Sequence, residues 1–203
     1  SPISYIKNKE LQRSSKFAEF YNNFKNIKNC DIIIICLPTP LTPKYKPDLT
    51  HIKNVMIKIT KFLRIGQTVI LESTTYPGTT NEFIISKLKK FSIGKNFFVG
   101  YSPERENPGS KNFTFYKTPK IVSGYTKNCL KIVNSLYSKV VEKTVISSEI
   151  RYAETAKIFE NIYRAVNIAL VNEMKFLLNK MNMDVNKIID LASTKPFGFS
   201  EFR

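Results

Sequence analysis

Three short apolar runs, each ending in a polar loop that contains proline, constrain the fold of this chain more than any other feature. The runs span residues 31–37, 68–71 and 97–101, and the polar loops follow them directly. Apolar runs of this length, rich in β-branched and aromatic residues, are typical of strands buried on both faces of a parallel sheet. Because the carboxyl ends of parallel strands meet at one edge, we expect the three loops to lie side by side, where open α/β sheets bind ligands.

Helical patterns separate these runs. Asp48 is placed to cap a helix that ends near Leu63, and residues 81–90 continue as a second helix. Further elements follow along the chain: a strand at 120–123, a helix at 126–137 and an extended stretch at 141–146. A strand, a helix and a second parallel strand form a right-handed crossover. The order of elements therefore predicts an α/β fold with a parallel sheet.

The longest uninterrupted pattern, residues 147–181, predicts one long helix. Ser147 and Ser148 are residue types favoured at a helix N-cap, and apolar side chains then recur at three- and four-residue spacing. Residues 165–171 are apolar around nearly the whole circumference, which a helix exposed to water does not tolerate. We expect this turn to be covered at a domain junction or a subunit interface. Beyond it, Asp184 is placed to cap a short helix.

Two polar residues are set into the apolar part of the long helix. Lys157 and Asn161 are four residues apart and therefore share a face. An ammonium beside apolar neighbours can stabilise a developing oxyanion, with an amide as a second donor. Spacing alone favours the plainer interpretation, a solvated lysine and a local amide hydrogen bond.

Side chains in the loops after the apolar runs can belong to a catalytic or binding site, or they can be ordinary loop residues. Either Glu104 or Glu106 is a candidate general base, although a carboxylate beside Arg105 more often forms a surface ion pair. Ser73, Thr74 and Thr75 can hold a water or a phosphate, but hydroxyls before Pro-Gly are also ordinary in turns. Cys36, inside the first run, is predicted to be a buried and unreactive thiol.

Composition excludes several classes of protein. The chain has 203 residues with a net charge of +16, three cysteines without CxxC spacing and a single histidine, His51, so no disulfide framework or metal site is indicated. The lysines are spread through every segment, which disfavours specific nucleic-acid binding and leaves nonspecific polyanion binding open. No apolar run is long enough to cross a bilayer and no signal peptide is evident, so we expect a cytoplasmic protein without membrane insertion.

Six short motifs are spread along nearly the whole chain. They are Ile-Cys-Leu-Pro-Thr-Pro (35–40), Glu-Ser-Thr-Thr-Tyr-Pro-Gly-Thr-Thr (72–80), Ser-Pro-Glu-Arg-Glu-Asn-Pro-Gly (102–109), Lys-Ile-Phe-Glu-Asn (157–161), Val-Asn-Glu-Met (171–174) and Ser-Thr-Lys-Pro-Phe-Gly-Phe (193–199). Taken together, these motifs resemble those of the UDP-glucose/GDP-mannose dehydrogenase family in their order and spacing. The second and third motifs are most similar to the UDP-N-acetylglucosamine 6-dehydrogenase branch, which supplies uronic acids for surface polysaccharides.

The resemblance implies an incomplete Rossmann-like NAD-binding domain over residues 1–146. It implies a helical segment for dimerisation and substrate binding over 147–203. Family members oxidise the C6 alcohol of a nucleotide sugar to a carboxylate with NAD, through a thiohemiacetal and a thioester on a cysteine. By position, Lys157 and Asn161 match the oxyanion-stabilising pair, and Glu104 matches the residue that transfers a proton or activates the hydrolytic water.

The remaining matches concern the cofactor and the sugar nucleotide. Thr74 matches a threonine near the hydrolytic water and the nicotinamide. The region from Arg105 to Pro108 is expected to help enclose the sugar nucleotide, together with Glu104, Lys157 and Asn161. The loop along the cofactor's ribose is matched by Leu37, Pro38 and Thr39, with Ser73 beside it.

Other parts of the family pattern are missing from these residues. The GxGxxG turn would precede Ser1, and the catalytic cysteine, in a Gly-Gly-x-Cys motif, would follow Phe199 beyond Arg203, as would the UDP-binding domain. None of the three cysteines stands at that position. We therefore expect a fragment of an NAD-dependent UDP-sugar 6-dehydrogenase, acting on UDP-N-acetylglucosamine and inactive by itself. The alternative is a catalytically dead remnant that acts as a dimerising interaction module.

Overall fold

The computed structural model describes residues 8–107 and 113–202, and the strands in these residues form one sheet. β1 to β3 pair in parallel, β3 and β4 are antiparallel, and β4 and β5 are parallel again. The sheet confirms the predicted α/β fold, while the antiparallel pair corrects the expectation of a wholly parallel sheet. Parallel neighbours need a crossover, usually a helix, and the described part of the β3–β4 connection contains none. In sheet order the strands are β1 (Ile32–Ile35), β2 (Thr68–Leu71), β3 (Phe98–Tyr101), β4 (Lys120–Gly124) and β5 (Thr144–Ile146).

The helices agree with the sequence pattern except near the N-terminus, at residues 81–90 and at some ends. The predicted long helix is confirmed, but it begins at Ile150, after the two serines proposed as caps. The first helix lies near the N-terminus, where the residues form helices readily but carry no apolar stripe from which the sequence would predict a helix. The α-helices of the described residues are α1 (Asn8–Ser15), α2 (Thr50–Ile59), α3 (Lys127–Tyr137), α4 (Ile150–Lys180) and α5 (Val185–Ser193).

The helix predicted at 81–90 is confirmed only in part, because it ends at Lys87 and is not an α-helix. Thr80–Ile84 form a π-helical turn, and Ile85–Lys87 form a 3-10 turn. At the start of this segment, the N–H groups of Gly78 and Thr80 donate to the carboxylate of Glu154. That acceptor lies far along the chain, so local spacing does not reveal it.

Side chains of β2 alternate between two apolar clusters. Val69 and Leu71 pack with α2 on one face of the sheet, whereas Ile70 packs with α3 on the other. The strand is therefore buried on both faces, as predicted. The first run does not share this burial: β1 is the edge strand among the described residues, and Ile34 is 43% exposed.

Contacts within the chain divide it into two units, Ser1–Lys157 and Ile158–Arg203. The domain boundary predicted at 146/147 stays a prediction about domain organisation. In the second unit, Leu178 packs with buried residues of α5, whose N-terminus is capped by Asp184 as predicted. Most of the apolar segment 165–171 is exposed in the single chain. The domain junction or subunit interface expected to cover it stays a prediction.

Candidate active site

The loops after β1 and β2 are held together by hydrogen bonds between side chain and backbone. The N–H of Leu37 donates to the hydroxyl of Ser73 over 2.8 Å, and the hydroxyl of Thr39 donates to the carbonyl of Thr74 over 2.7 Å. Ser73 is itself buried and donates to the carbonyl of Ile35. Pairs 35 and 36 residues apart in sequence are thus joined at the carboxyl edge of two parallel strands. The structure brings together four of the predicted cofactor-binding residues, and Pro38 lies exposed between Leu37 and Thr39.

Glu104 lies in the loop after β3, and its carboxylate is held from both ends. One oxygen, Oε1, accepts the backbone N–H groups of Arg105 and Glu106, each over 2.7 Å. The other, Oε2, lies 3.2 Å from the ammonium of Lys120. Arg105, the residue predicted to help bind substrate, donates from Nη1 to the carbonyl of Pro119 over 2.7 Å. The bonds fix the Glu104 carboxylate while leaving its side chain 44% exposed.

Glu154 ties the first turns of α4 to the corner after β2. Its side chain is completely buried, and its carboxylate accepts the N–H of Gly78 over 2.5 Å and the N–H and hydroxyl of Thr80 over 2.9 and 2.7 Å. Gly78 has a φ of +103°, a conformation that favours glycine. Lys157 follows one turn later on the same helix. The corner that carries Thr74 and the turn that precedes Lys157 are therefore fixed to each other.

Lys157 and Asn161 are both half-buried on α4. Asn161 belongs to the second unit, where its side-chain oxygen accepts a hydrogen bond from Arg164 over 3.0 Å. The two residues lie on either side of the boundary between the two units, so their common face stays a prediction. That the ammonium of Lys157 points towards Thr74 and Glu104 stays a prediction.

Cys36 lies after β1 rather than within it, and the prediction of a buried thiol is wrong for this residue. The buried cysteine is Cys129 on α3. The sulfur of Cys36 lies 3.7 Å from a carboxylate oxygen of Glu72. Partial burial of the sulfur, together with the negative charge of Glu72, raises the pKa of Cys36 to about 11. The thiol is therefore protonated and weakly nucleophilic at neutral pH.

Among residues 8–107 and 113–202, no cluster of three or more His, Cys, Asp or Glu side chains is able to hold a metal ion. None of the helices there is both long enough and apolar enough to cross a membrane. The arrangement is thus a set of hydroxyl, carboxylate and ammonium groups at one sheet edge.

Comparison with known protein families decides the relationship. Residues 6–141 match the NAD binding domain of the UDP-glucose/GDP-mannose dehydrogenase family, and residues 151–203 match its central domain. The chain belongs to the UDP-glucose/GDP-mannose dehydrogenase family. Relatives of the chain in this family include proteins named UDP-N-acetyl-D-glucosamine 6-dehydrogenase and UDP-N-acetyl-D-mannosamine dehydrogenase, and the first domain matched is the one that binds NAD in the family.

Relatives within this dehydrogenase family match nearly the whole chain. It is 42% identical over 91% of its length to Protein CapL from Staphylococcus aureus, and 39% identical over 96% to a UDP-N-acetyl-D-glucosamine 6-dehydrogenase from Pseudomonas aeruginosa. The match covers 44% and 46% of those relatives, so the chain spans less than half of their length. The solved structure of UDP-D-ManNAc dehydrogenase from Pyrococcus horikoshii superposes with a TM-score of 0.86 at 28% identity, covering 98% of this chain and 49% of that one. The sheet is therefore of the Rossmann type seen in these dehydrogenases.

Sequence reasoning missed Lys120, Glu72 and Glu154, which hold the predicted residues in place. Lys120 and Val122 share a face of β4, and Val122 is buried, so an inward-facing lysine was readable from the strand pattern. Glu72 directly follows the buried strand β2, which was a weaker signal. Glu154 gave no local signal because its partners lie 74 and 76 residues earlier.

Proposed function

We propose that this chain is part of an NAD-dependent UDP-sugar 6-dehydrogenase that oxidises the C6 alcohol of UDP-N-acetylglucosamine to the uronic acid for surface polysaccharides. The observation that carries the proposal is the joining of the loops after β1 and β2 at the carboxyl edge of the family's NAD-binding sheet. The sugar is favoured by identities of 39% and 35% to UDP-N-acetyl-D-glucosamine 6-dehydrogenases, against 29% and 32% to two UDP-N-acetyl-D-mannosamine dehydrogenases.

The loops at this edge suit the neutral parts of NAD. Residues 37–40 and 73–75 carry hydroxyl, prolyl and leucyl side chains and no charge, which fits the ribose and nicotinamide better than the diphosphate. Dinucleotides bind across the carboxyl ends of such strands. When bound there, NAD would supply the hydride acceptor for oxidation at C6 of the sugar. The residues that would hold it are Leu37, Pro38, Thr39, Ser73 and Thr74.

Glu104 is the proposed base. Its two backbone donors and Lys120 occupy part of the carboxylate's capacity, which is about four lone-pair sites. The exposed part of the side chain leaves room for a water or a substrate hydroxyl as a further donor. A carboxylate so placed can take a proton from the alcohol or from the hydrolytic water, which Thr74 would help to orient.

Lys157 and Asn161 are the proposed donors to the oxyanion that develops at C6. An ammonium and an amide four residues apart in the sequence would supply charge and a second hydrogen bond. Arg105 would bind the diphosphate of the sugar nucleotide, since a guanidinium suits phosphate oxygens. Lys157, Asn161 and Glu104 would also contact the sugar.

The chain by itself is proposed not to turn over, because none of its thiols suits covalent catalysis in the family pattern. Cys129 is buried, Cys36 has a raised pKa, and Cys30 lies before β1 beside Asn26. A hybrid, in which residues 1–203 replace the matching segment of the 39%-identical Pseudomonas relative, provides the activity test.

The hybrid should form NADH from NAD and UDP-N-acetylglucosamine, whereas the isolated chain should form none. Oxidation of an alcohol to a carboxylate removes four electrons, so the hybrid should form two NADH for each uronic acid. A hybrid that is folded by circular dichroism but oxidises UDP-N-acetylmannosamine faster would contradict the proposed substrate. NADH formation by the chain alone would contradict the proposed lack of turnover.

We also propose a homodimer formed through the helix at 147–181. Within the second unit, large apolar side chains of α4 are exposed, among them Phe159 at 69%, Val166 at 61% and Leu170 at 57%. Exposed apolar patches of this kind are typical of subunit interfaces. A dimerising module without catalysis remains the second candidate, because the same surface would serve it.

Light scattering tests the dimer. The purified chain should have twice the monomer mass, and Val166→Asp with Leu170→Lys should make it monomeric because charges would be buried at the interface. The matched exposed pair Lys175→Asp and Glu173→Lys should leave the dimer intact. A wild-type monomer at high micromolar concentration would contradict the interface. NADH formation by the hybrid separates the dehydrogenase from the module.

A further inference from the structure

Lys120 carries a buried charge that the proposed reaction does not use directly. Its side chain is 3% exposed, and its ammonium lies 3.2 Å from Glu72 Oε1 and 3.2 Å from Glu104 Oε2. Lysine is almost never fully buried unless it is paired. Glu72 directly follows β2 and Glu104 lies in the loop after β3, so one ammonium joins two loops at the edge proposed to bind NAD and substrate.

The position of Lys120 is fixed by its surroundings. Its backbone N–H donates to the carbonyl of Lys143 over 2.9 Å, where β4 pairs with β5. The ammonium lies 5.1 Å from the ring centroid of Phe115 and 5.2 Å from that of Tyr137, within the range of cation–π attraction. The charged group is thus enclosed by two rings and two carboxylates.

The two carboxylates differ in exposure and therefore in what they can do. The Glu72 side chain is 11% exposed, and its Oε1 also accepts a hydrogen bond from the hydroxyl of Tyr137. Its other oxygen lies beside the sulfur of Cys36. The Glu104 side chain is 44% exposed and remains accessible to solvent. Glu72 is the fixed anchor of the lysine, and Glu104 is the group that remains accessible for chemistry.

We propose that Lys120 is a positioning residue, which holds the Glu104 carboxylate in one orientation at the open sheet edge. This role rests on the proposed function of Glu104 as the base. The backbone N–H groups of Arg105 and Glu106 bind only Oε1, so they leave the carboxylate free to turn about that end. The ammonium on Oε2 removes this freedom, and the Tyr137 and Glu72 side chains keep the ammonium from turning away.

Carbon-13 NMR of the glutamate side-chain carboxyls in the full 203-residue chain tests the positioning, with the Glu104 resonance assigned through Glu104→Gln. In Lys120→Met, the resonance should move towards that of a solvent-exposed glutamate, and Lys120→Arg should return it most of the way. Lys131→Met, which removes an exposed lysine on α3, should leave it unchanged. A purely structural lysine would lower the unfolding temperature in Lys120→Met without moving the Glu104 resonance, and that result would overturn the proposal.

Where Lys120→Met does not fold, Glu72→Gln takes its place. It weakens the anchor of the lysine, so it should move the Glu104 resonance in the same direction. An unmoved resonance in this variant would likewise overturn the proposal.

In the hybrid, Lys120→Met should lower kcat about 10- to 100-fold, a part of the roughly 10²- to 10⁴-fold that a positioned base supplies, with little change in KM. Lys120→Arg should recover most of kcat. Unchanged kcat in Lys120→Met would overturn the catalytic part of the role. Failure of the proposed function is recognised separately, because Glu104→Gln would then leave kcat unchanged while the NMR result stands.

Discussion

Replacing Glu154 is predicted to destabilise the first unit far more than replacing an exposed glutamate on the same helix. The carboxylate is completely buried and accepts the N–H groups of Gly78 and Thr80 as well as the hydroxyl of Thr80. In Glu154→Ala, the hydroxyl can turn to another acceptor, but the two backbone N–H groups cannot. Each buried N–H left without a partner costs about 1–3 kcal/mol, so the unfolding free energy should fall by about 2–6 kcal/mol.

Glu154→Gln separates hydrogen bonding from packing. The amide has the size of the carboxylate, but only its oxygen accepts, and its NH₂ group faces an N–H donor. We expect this variant to lose about 1–3 kcal/mol. Glu173→Ala, at an exposed position of α4, is the matched control and should change the unfolding free energy by less than about 0.5 kcal/mol.

The assay is urea unfolding of the full chain followed by circular dichroism. The order of stability should be wild type and Glu173→Ala together, then Glu154→Gln, then Glu154→Ala. A Glu154→Gln variant as stable as wild type would refute the reasoning, because it would show that the N–H groups of Gly78 and Thr80 do not depend on the carboxylate.

Three further predictions concern Cys36, Tyr137 and Gly124. With its pKa at about 11, Cys36 should be alkylated at pH 8 about 10²-fold more slowly than an ordinary exposed thiol, and Glu72→Gln should accelerate the reaction; equal rates in peptide mass spectrometry would contradict this. Burial and the hydrogen bond to Glu72 raise the pKa of Tyr137 above the ordinary value of 10.0, so its contribution to stability is present below pH 10 and is lost as the pH rises further. Unfolding free energies measured at pH 9 and pH 11 should therefore fall more steeply in wild type than in Tyr137→Phe, and parallel curves would exclude this role. A β-carbon at Gly124 would lie 2.1 Å from the backbone nitrogen of Leu130, so Gly124→Ala should lower the unfolding free energy by about 3 kcal/mol, and a neutral result in urea unfolding would disprove the close contact.

The sequence predicts strands and helices most accurately where the spacing of apolar residues matches the burial of their side chains in the structure. The run at 68–71 is buried on both faces and was predicted to the residue, because alternating side chains pack against α2 and α3. The first run was predicted too long: the strand ends at Ile35, and Cys36 therefore lies outside it. Because β1 lies at the edge of the sheet among the described residues, its apolar sequence does not mean that its side chains are buried.

The sequence predicts the residues of the candidate site but not the side chains that hold them in place. Thr39 and Thr74 were identified from family motifs, and their hydrogen bond follows from the adjacency of parallel strands. Lys120 and Glu154 depend on partners distant in sequence, which periodicity cannot show. Their burial also runs against the ordinary preference of charged residues for water.

The role of Lys157 tests the proposed dehydrogenase most directly. In the hybrid, Lys157→Ala should lower kcat by about 10²-fold or more with little change in KM for UDP-N-acetylglucosamine, because an oxyanion donor acts mainly in the transition state. Lys175→Ala, at an exposed position on the same helix, should leave kcat unchanged. A Lys157→Ala hybrid that keeps the kcat of its parent would contradict the assignment of this sheet edge and helix to oxidation of the sugar.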